Sequence, residues 1–87
     1  MQIKEFQTFI REKYYATDST RGAAATFLWF IEEVGELSTA IAKGDRANLN
    51  EEFADVLAWL CTLANLCDVD LESAVQKYTQ GNVTGHK

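Results

Sequence analysis

Twelve of the fifteen residues at positions 53–67 are apolar, and the exceptions are Asp55, Thr62 and Asn65. A helix over this stretch is apolar on every side, so several neighbouring elements must cover it. Residues 27–31 form a second apolar run, so the predicted helix that contains them also needs several neighbours to cover it. A chain of 87 residues has few elements to offer as cover, because a domain of this size buries a limited share of its surface. We therefore expect further copies of the chain to complete the fold, as a homodimer or homotetramer.

The sequence predicts an all-α fold. The chain contains no proline and five glycines, which favours helices over a turn-rich β domain. Apolar spacing and capping residues predict four helices, over about residues 2–15, 20–42, 48–67 and 70–77. Short connections favour an antiparallel helical bundle. We expect one helical domain over residues 1–80 and a flexible C-terminal tail over residues 81–87.

Local signals set the predicted helix boundaries. The segment Asp18-Ser19-Thr20 is a cluster of capping residues that we expect to open the second helix. Gly44 and Asp45 are expected to end that helix. Asn48 is predicted to begin the third helix and Asp70 to cap the short fourth one.

Charge and apolar length exclude several classes of protein. A net charge of −5 gives no broad basic surface, so we expect no nucleic-acid polymer as a partner. The N-terminus becomes polar at once and the longest apolar stretch, residues 56–61, is far too short to cross a bilayer. We therefore expect neither a signal peptide nor membrane attachment. Cys61 and Cys67 match no zinc or redox spacing, and we expect reduced core thiols in a cytoplasmic protein.

Five carboxylates interrupt the apolar sequence in two groups, which are Glu32, Glu33 and Glu36 in the second helix and Glu52 and Asp55 in the third. Each group contains an i,i+3 pair, whose like charges repel on a helix surface. An antiparallel hairpin about Gly44 would bring the two groups together. Basic residues in these helices lie only near the turn, so a hard cation held by oxygen ligands, Mg²⁺ or Mn²⁺, is the expected partner. A solvated acidic face is the alternative.

These carboxylates carry a family resemblance. The segments Glu32-Glu33-x-x-Glu36 and Glu52-x-x-Asp55, in this order and spacing, resemble the signature of the MazG-like nucleoside triphosphate pyrophosphohydrolases. Residues 64–74 are similar to the last connection of that family, and the resemblance spans about residues 3–78. It implies the all-α superfamily that also contains dimeric dUTPases and phosphoribosyl-ATP pyrophosphohydrolases.

The resemblance implies a reaction and a set of roles. The reaction is Mg²⁺-dependent hydrolysis of an NTP or dNTP to the monophosphate and pyrophosphate, which serves nucleotide-pool house-cleaning. The implied metal ligands are Glu33, Glu36, Glu52 and Asp55. Glu32 would hold or deprotonate the attacking water, and Glu33 is a second candidate for this catalytic role. Longer relatives place an asparagine four residues after a lysine that matches Lys77, whereas this chain has Gly81 there and Asn82 one position later.

Substrate contacts are predicted around the carboxylates. Trp29 and Trp59 each lie one helical turn from a predicted ligand and could flank the base, or could simply pack in the core. Arg21, Lys13 and Lys77 are candidates for phosphate contacts, or are ordinary surface charges. Other functions remain open at this point: a hydrolase of the same superfamily that acts on dUTP or a phosphoribosyl-nucleotide, and a non-catalytic helical module that binds nucleotide or metal.

Overall fold

The computed structural model describes residues 1–80, and the regular elements in this part of the chain are all helices. Its elements are α1 (Ile3–Arg21), α2 (Ala23–Lys43), α3 (Arg46–Leu66), α4 (Leu71–Ala74) and α5 (Gln76–Thr79). The all-α prediction is confirmed. Two short helices, α4 and α5, replace the single fourth helix that the sequence predicts. The predicted flexible tail, residues 81–87, lies outside the described residues.

The boundary between α1 and α2 differs from the prediction. The segment Asp18-Ser19-Thr20 lies inside α1, where the Ser19 and Thr20 hydroxyls donate back to the Ala16 carbonyl oxygen. The break falls at Gly22, which has φ 86° and ψ 163°, a conformation that is open essentially to glycine alone. Hydroxyl side chains that bond back one turn are compatible with a continuing helix, so the capping cluster gives a misleading signal here.

The turn between α2 and α3 follows the predicted pattern. Gly44 adopts the left-handed conformation, and its N–H group donates to the carbonyl oxygens of Ala40 and Ile41, as is typical of helix C-termini. Asp45 then caps α3, with its side chain accepting a hydrogen bond from the Asn48 N–H group at 3.4 Å. The third helix therefore begins two residues earlier than predicted, because Asp45 and not Asn48 is its cap.

Helix α3 packs against both α2 and α1, whereas α1 and α2 contact each other much less. Gln7 on α1 forms hydrogen bonds with residues at and just after the end of α3. Its amide nitrogen donates to Asn65 Oδ1 at 3.0 Å and to the Val69 carbonyl oxygen at 2.7 Å, and its Oε1 accepts from the Leu71 N–H group at 3.0 Å. Because Gln7 and Asn65 are buried, each of these bonds satisfies a polar group that water cannot reach.

The core of residues 1–80 is small. The buried apolar side chains are Ile10, Ala40, Cys61 and Ala64. Many larger apolar side chains of α2 and α3 stay more than a third exposed, namely Phe27, Leu28, Trp29, Ile31, Val34, Ile41, Phe53, Leu57 and Leu60. Within one copy, residues 1–80 therefore leave much of the apolar surface of α2 and α3 uncovered.

The two cysteines lie in different environments. Cys61 is fully buried, and its burial raises the pKa of the thiol. Cys67 is exposed at the end of α3, so the prediction that both are core thiols is wrong for Cys67. Both thiols are free.

Among the described helices, none has the length and apolar character needed to cross a membrane.

Candidate functional site

The antiparallel hairpin of α2 and α3 brings three of the five predicted carboxylates together. One carboxylate oxygen from each of Glu33, Glu36 and Glu52 lies within 4.8 Å of the other two. Two of these side chains come from α2 and one from α3. We call Glu33, Glu36 and Glu52 the carboxylate triad.

The triad is partly desolvated, and no basic side chain of residues 1–80 forms an ion pair with it. Oε2 of Glu33 and Oε2 of Glu52 are buried and have no hydrogen-bond partner among the described residues. Ion pairs in the described part of the chain join Lys4 to Asp70 and Arg21 to Asp18, and none of them includes a triad member. An unpaired buried carboxylate oxygen is costly, so the arrangement favours either a proton or a cation.

The pKa values of the triad reflect this environment. Burial raises the pKa of Glu33 from 4.5 to about 7, with further contributions from the hydrogen bond and the charge of Glu36 and from the charges of Asp55 and Glu52. Burial also raises the pKa of Glu52, together with the charges of Glu36 and Asp55. In the absence of a cation, the triad therefore retains a proton in a pH range where ordinary glutamates are ionised.

The other two predicted carboxylates lie around the triad. Asp55 is close enough for its charge to raise the pKa of both Glu33 and Glu52, and it also lines a pocket between α1 and α3. Glu32 is exposed on α2 and does not belong to the triad. The five carboxylates thus separate into a triad, one flanking residue and one exposed residue.

The donor set of the triad fits a hard divalent cation. All donors are carboxylate oxygens, which suit Mg²⁺ and Mn²⁺. The two orphaned oxygens, Glu33 Oε2 and Glu52 Oε2, are available as ligands. A purely solvated acidic face would leave its oxygens in contact with water, and this description fits the exposed Glu36 but not the buried oxygens.

Two tryptophans stack beside the carboxylates. The rings of Trp29 and Trp59 have centroids 6.4 Å apart and planes 17° from parallel. The guanidinium carbon of Arg21 lies 5.1 Å from the centre of the Trp59 ring. Arg21 also donates to Asp18 Oδ1 at 2.6 Å and to Thr26 Oγ1 at 2.8 Å. Of these residues, Asp18, Arg21 and Trp59 line the pocket between α1 and α3, which has a volume of about 380 Å³.

Comparison with protein-family models matches residues 21–86 to the MazG nucleotide pyrophosphohydrolase domain. This match covers most of the chain and includes all five carboxylates and both tryptophans. The chain belongs to the MazG nucleotide pyrophosphohydrolase family. Members of the MazG family are hydrolases that act on acid anhydrides, and they generally use a divalent metal ion. A comparison with curated proteins found no significant match.

The MazG match leaves most of α1 outside its limits, since only Arg21 of that helix falls within residues 21–86. Yet α1 supplies Asp18 and Tyr14 to the pocket beside the MazG carboxylates. The sequence prediction missed Asp18 and Thr62 as pocket residues. Asp18 was assigned to a cap, and Thr62 is visible in the sequence only as a polar interruption of an apolar run.

The predicted basic contacts occupy different places. Arg21 lines the pocket, as described. Lys77 lies on α5 with its ammonium group 5.0 Å from the centre of the Tyr78 ring, and it does not line this pocket. Lys13 lies over the rings of Phe9 and Tyr14 on α1. Of these three side chains, Arg21 is the one that the fold brings to the pocket beside Asp55.

Proposed function

We propose that this chain hydrolyses a nucleoside triphosphate, an NTP or dNTP, to the nucleoside monophosphate and pyrophosphate, and so removes unwanted nucleotides from the cellular pool. The family match supports the class of bond that is cleaved. The observation that carries the proposal is the carboxylate triad, whose oxygens from two helices converge within 4.8 Å. A triphosphate cannot approach such a cluster of negative charge without cations, so substrate and metal binding are coupled at this site.

Mg²⁺ is the proposed cofactor, with Mn²⁺ as a substitute. When bound, a divalent ion of this kind neutralises phosphate charge and lowers the pKa of a water molecule. Glu33, Glu36 and Glu52 would hold it through their converging oxygens. Asp55 follows Glu52 by one turn of α3 and would extend the ligand set toward the pocket.

Glu32 is the carboxylate that this assignment leaves free. It is exposed and directly precedes Glu33 on α2. A carboxylate that is not committed to a cation can orient the attacking water and accept its proton. Glu33 is the second candidate for this role, because it adjoins Glu32 and has a carboxylate oxygen without a hydrogen-bond partner among the described residues.

The stacked tryptophans and two basic residues are the proposed substrate contacts. Trp29 and Trp59 offer aromatic surface one turn from the carboxylates, and stacking on such a surface tolerates any base. Arg21 lies at the pocket and is proposed as a phosphate or entry contact. Lys77 is retained as a proposed phosphate contact from the C-terminal part of the chain.

Homo-oligomerisation is the proposed way to cover the apolar surface. On α2 the exposed residues Phe27, Ile31, Val34 and Ile41 follow helical spacing, and on α3 Phe53, Leu57 and Leu60 do the same. Helical stripes of this kind bury against other helices, and contiguous exposed apolar surface is typical of interaction sites. The simplest partner is a second copy of the chain, in a dimer or a tetramer.

The proposed function is tested with a panel of NTPs and dNTPs, each incubated with Mg²⁺ and, as the control, with EDTA. Phosphorus NMR of the products should show the monophosphate and pyrophosphate. Orthophosphate and a diphosphate as first products would contradict the proposal. Turnover confined to dUTP or to a phosphoribosyl-nucleotide would place the chain with other enzymes of the superfamily. Binding without any turnover would make it a nucleotide-binding or metal-binding module.

A further inference from the structure

Arg21 connects the three long helices beside the carboxylates. It is the last residue of α1, and its Nε donates to Thr26 Oγ1 on α2 at 2.8 Å. Its guanidinium carbon lies 5.1 Å from the centre of the Trp59 ring on α3. A guanidinium at this distance from a tryptophan ring is attracted to it by a cation–π interaction. One side chain therefore links the first turn of α2 to an aromatic residue of α3.

The guanidinium of Arg21 is held by two hydrogen-bond acceptors. Its Nη2 donates to Asp18 Oδ1 at 2.6 Å, and its Nε donates to Thr26. Thr26 is fully buried and donates its own hydroxyl proton to the Gly22 carbonyl oxygen at 2.7 Å, so the hydroxyl oxygen faces Arg21 as an acceptor. The side chains of Asp18 and Arg21 are only 10% and 23% exposed. Charge-assisted hydrogen bonds are strong and specify geometry, so these partners define the orientation of Arg21.

The ring beside Arg21 belongs to the stacked tryptophan pair. The plane of Trp59 lies 17° from that of Trp29. Trp29 is 49% exposed and Trp59 is half-buried, so core packing covers these two rings only in part. Because Arg21 contacts Trp59 and Trp59 contacts Trp29, the orientation of Arg21 affects the whole aromatic surface beside the carboxylates.

We propose that Arg21 is a positioning residue that fixes the orientation of Trp59, and so of the aromatic surface on which the base stacks. Asp18 and Thr26 act through Arg21. The use of this surface by a base rests on the proposed function. The N–H groups of Arg21 Nη1 donate to no described residue and remain available for the proposed phosphate contact. Asp18 precedes residues 21–86, which the MazG family model matches, so α1 supports the base site from outside the matched region.

Arg21→Lys tests this role, because lysine keeps the positive charge but lacks the planar fork that donates to two partners at once. The KM for a hydrolysed NTP should rise about fivefold, the scale of one cation–π contact, and kcat should stay close to that of wild type. The near-UV circular dichroism of the tryptophans in EDTA should weaken. Arg11→Lys is the matched control, because the Arg11 guanidinium lies 4.0 Å from the centre of the Tyr15 ring on the same helix and does not line this pocket. It should leave KM and the tryptophan signal unchanged.

A pair of substitutions at Thr26 isolates the hydroxyl group. Thr26→Val keeps the shape of the side chain and removes the oxygen that accepts from Arg21. It should raise KM and weaken the tryptophan signal, as Arg21→Lys does. Thr26→Ser keeps the hydroxyl group and should retain the KM and the tryptophan signal of wild type. A merely structural role for this buried position would not make KM follow the hydroxyl group while kcat stays constant. If Thr26→Val does not fold, Arg21→Lys and its control decide the matter.

The outcomes separate this inference from the proposed function. A raised KM with an unchanged tryptophan signal in Arg21→Lys would mean that Arg21 acts on the phosphates alone. A wild-type KM would mean that the base does not depend on the orientation of Trp59. Either result overturns the inference and leaves NTP hydrolysis intact. If wild type hydrolyses no NTP, the proposed function fails, and a tryptophan signal that follows the Thr26 hydroxyl group still supports the positioning of Trp59.

Discussion

Trp29 on α2 stacks on Trp59 on α3, with ring centroids 6.4 Å apart, so the two helices are in aromatic contact close to the carboxylates. Trp29 lies one turn before Glu33, and Trp59 lies one turn after Asp55. The carboxylates themselves repel one another and cannot hold the helices together. Aromatic packing therefore stabilises an arrangement that its own charges oppose.

Glu36→Gln should distinguish the charge repulsion within the carboxylate triad from the role of the triad in binding Mg²⁺. In EDTA the free energy of unfolding should stay unchanged or rise by about 0.5 kcal/mol, because one charge of a repelling cluster is removed. The rise in melting temperature that Mg²⁺ gives wild type should shrink, since a ligand stabilises the state that binds it. Thermal melts with EDTA give the metal-free stability, and melts with excess Mg²⁺ give the rise in melting temperature. Glu12→Gln on α1, which removes a charge outside the triad, is the control. A large loss of metal-free stability with a normal Mg²⁺ response would mean that the triad is structural.

The metal-free protein should lose stability as the pH rises through 7. The pKa of Glu33 is raised from 4.5 to about 7, so between these values the folded chain binds more protons than the unfolded chain. The contribution of Glu33 to the free energy of unfolding is therefore greatest below about pH 4.5. This contribution is lost as the pH rises through the folded-state pKa of about 7. Melts in EDTA from pH 5 to pH 8 should show this decline in wild type and a flatter curve in Glu33→Gln. Identical slopes in the two proteins would contradict the assignment.

The affinity for Mg²⁺ should rise as the pH rises, because the carboxylate ligands must be deprotonated to bind the ion. The increase in melting temperature caused by Mg²⁺ should therefore grow between pH 6 and pH 8.

Glu32→Gln should slow turnover strongly and leave metal binding intact. Glu32 is exposed and lies outside the triad, so its removal should not alter the Mg²⁺-induced rise in melting temperature. Loss of the proton acceptor should lower kcat by about 10²-fold or more. Glu36→Gln, in contrast, should lower both kcat and the Mg²⁺-induced rise in melting temperature. If Glu32→Gln retains full kcat, Glu33 becomes the preferred proton acceptor.

Gly22→Ala should destabilise the protein by about 1–3 kcal/mol, because Gly22 has φ 86° and ψ 163° in the single-residue connection between α1 and α2. Beyond the two adjacent residues, no atom lies within 4 Å of the position that an added Cβ would occupy, so the cost comes from the backbone conformation. Gly35→Ala is a matched control inside α2, where the added Cβ also meets nothing. It should stabilise the helix by about 0.5–1 kcal/mol. Urea unfolding in EDTA measures both, and equal effects of the two substitutions would contradict this account.

Ile41→Lys should dissociate the proposed oligomer. Ile41 is 57% exposed in one copy of the chain, so the substitution should be tolerated by the monomer, but a charge at this position would be buried between copies. Light scattering should give wild type a mass of two or four times 9.8 kDa and Ile41→Lys a lower mass. Val75→Lys, at an exposed apolar position between α4 and α5, should leave the mass unchanged. A wild-type mass of 9.8 kDa would refute the oligomer.

The parts of the fold and site that could be predicted are those fixed by neighbours in the sequence. Gly44 and Asp45 mark the hairpin because a left-handed glycine and an aspartate cap act within one turn. The hairpin then places Glu36 near Glu52, as the spacing predicts.

The parts that were missed depend on distant or ambiguous partners. Asp18 is chemically suited to a cap, but Arg21 in the same helix and the pocket beside α3 determine its role. Cys67 lies in an apolar sequence, yet α3 ends there and leaves its side chain exposed. Neither outcome follows from local spacing, because each depends on which elements meet in three dimensions.

The hydrogen bonds of Gln7 have a consequence for the order in which the chain can fold. Its partners Asn65, Val69 and Leu71 follow it by 58, 62 and 64 positions. During synthesis α1 therefore leaves the ribosome well before residues 65–71, which supply its hydrogen-bond partners, have been made. The α2–α3 hairpin, built from contacts between sequence neighbours, can form earlier. We expect α1, although it is made before α2 and α3, to dock only after those two helices have paired.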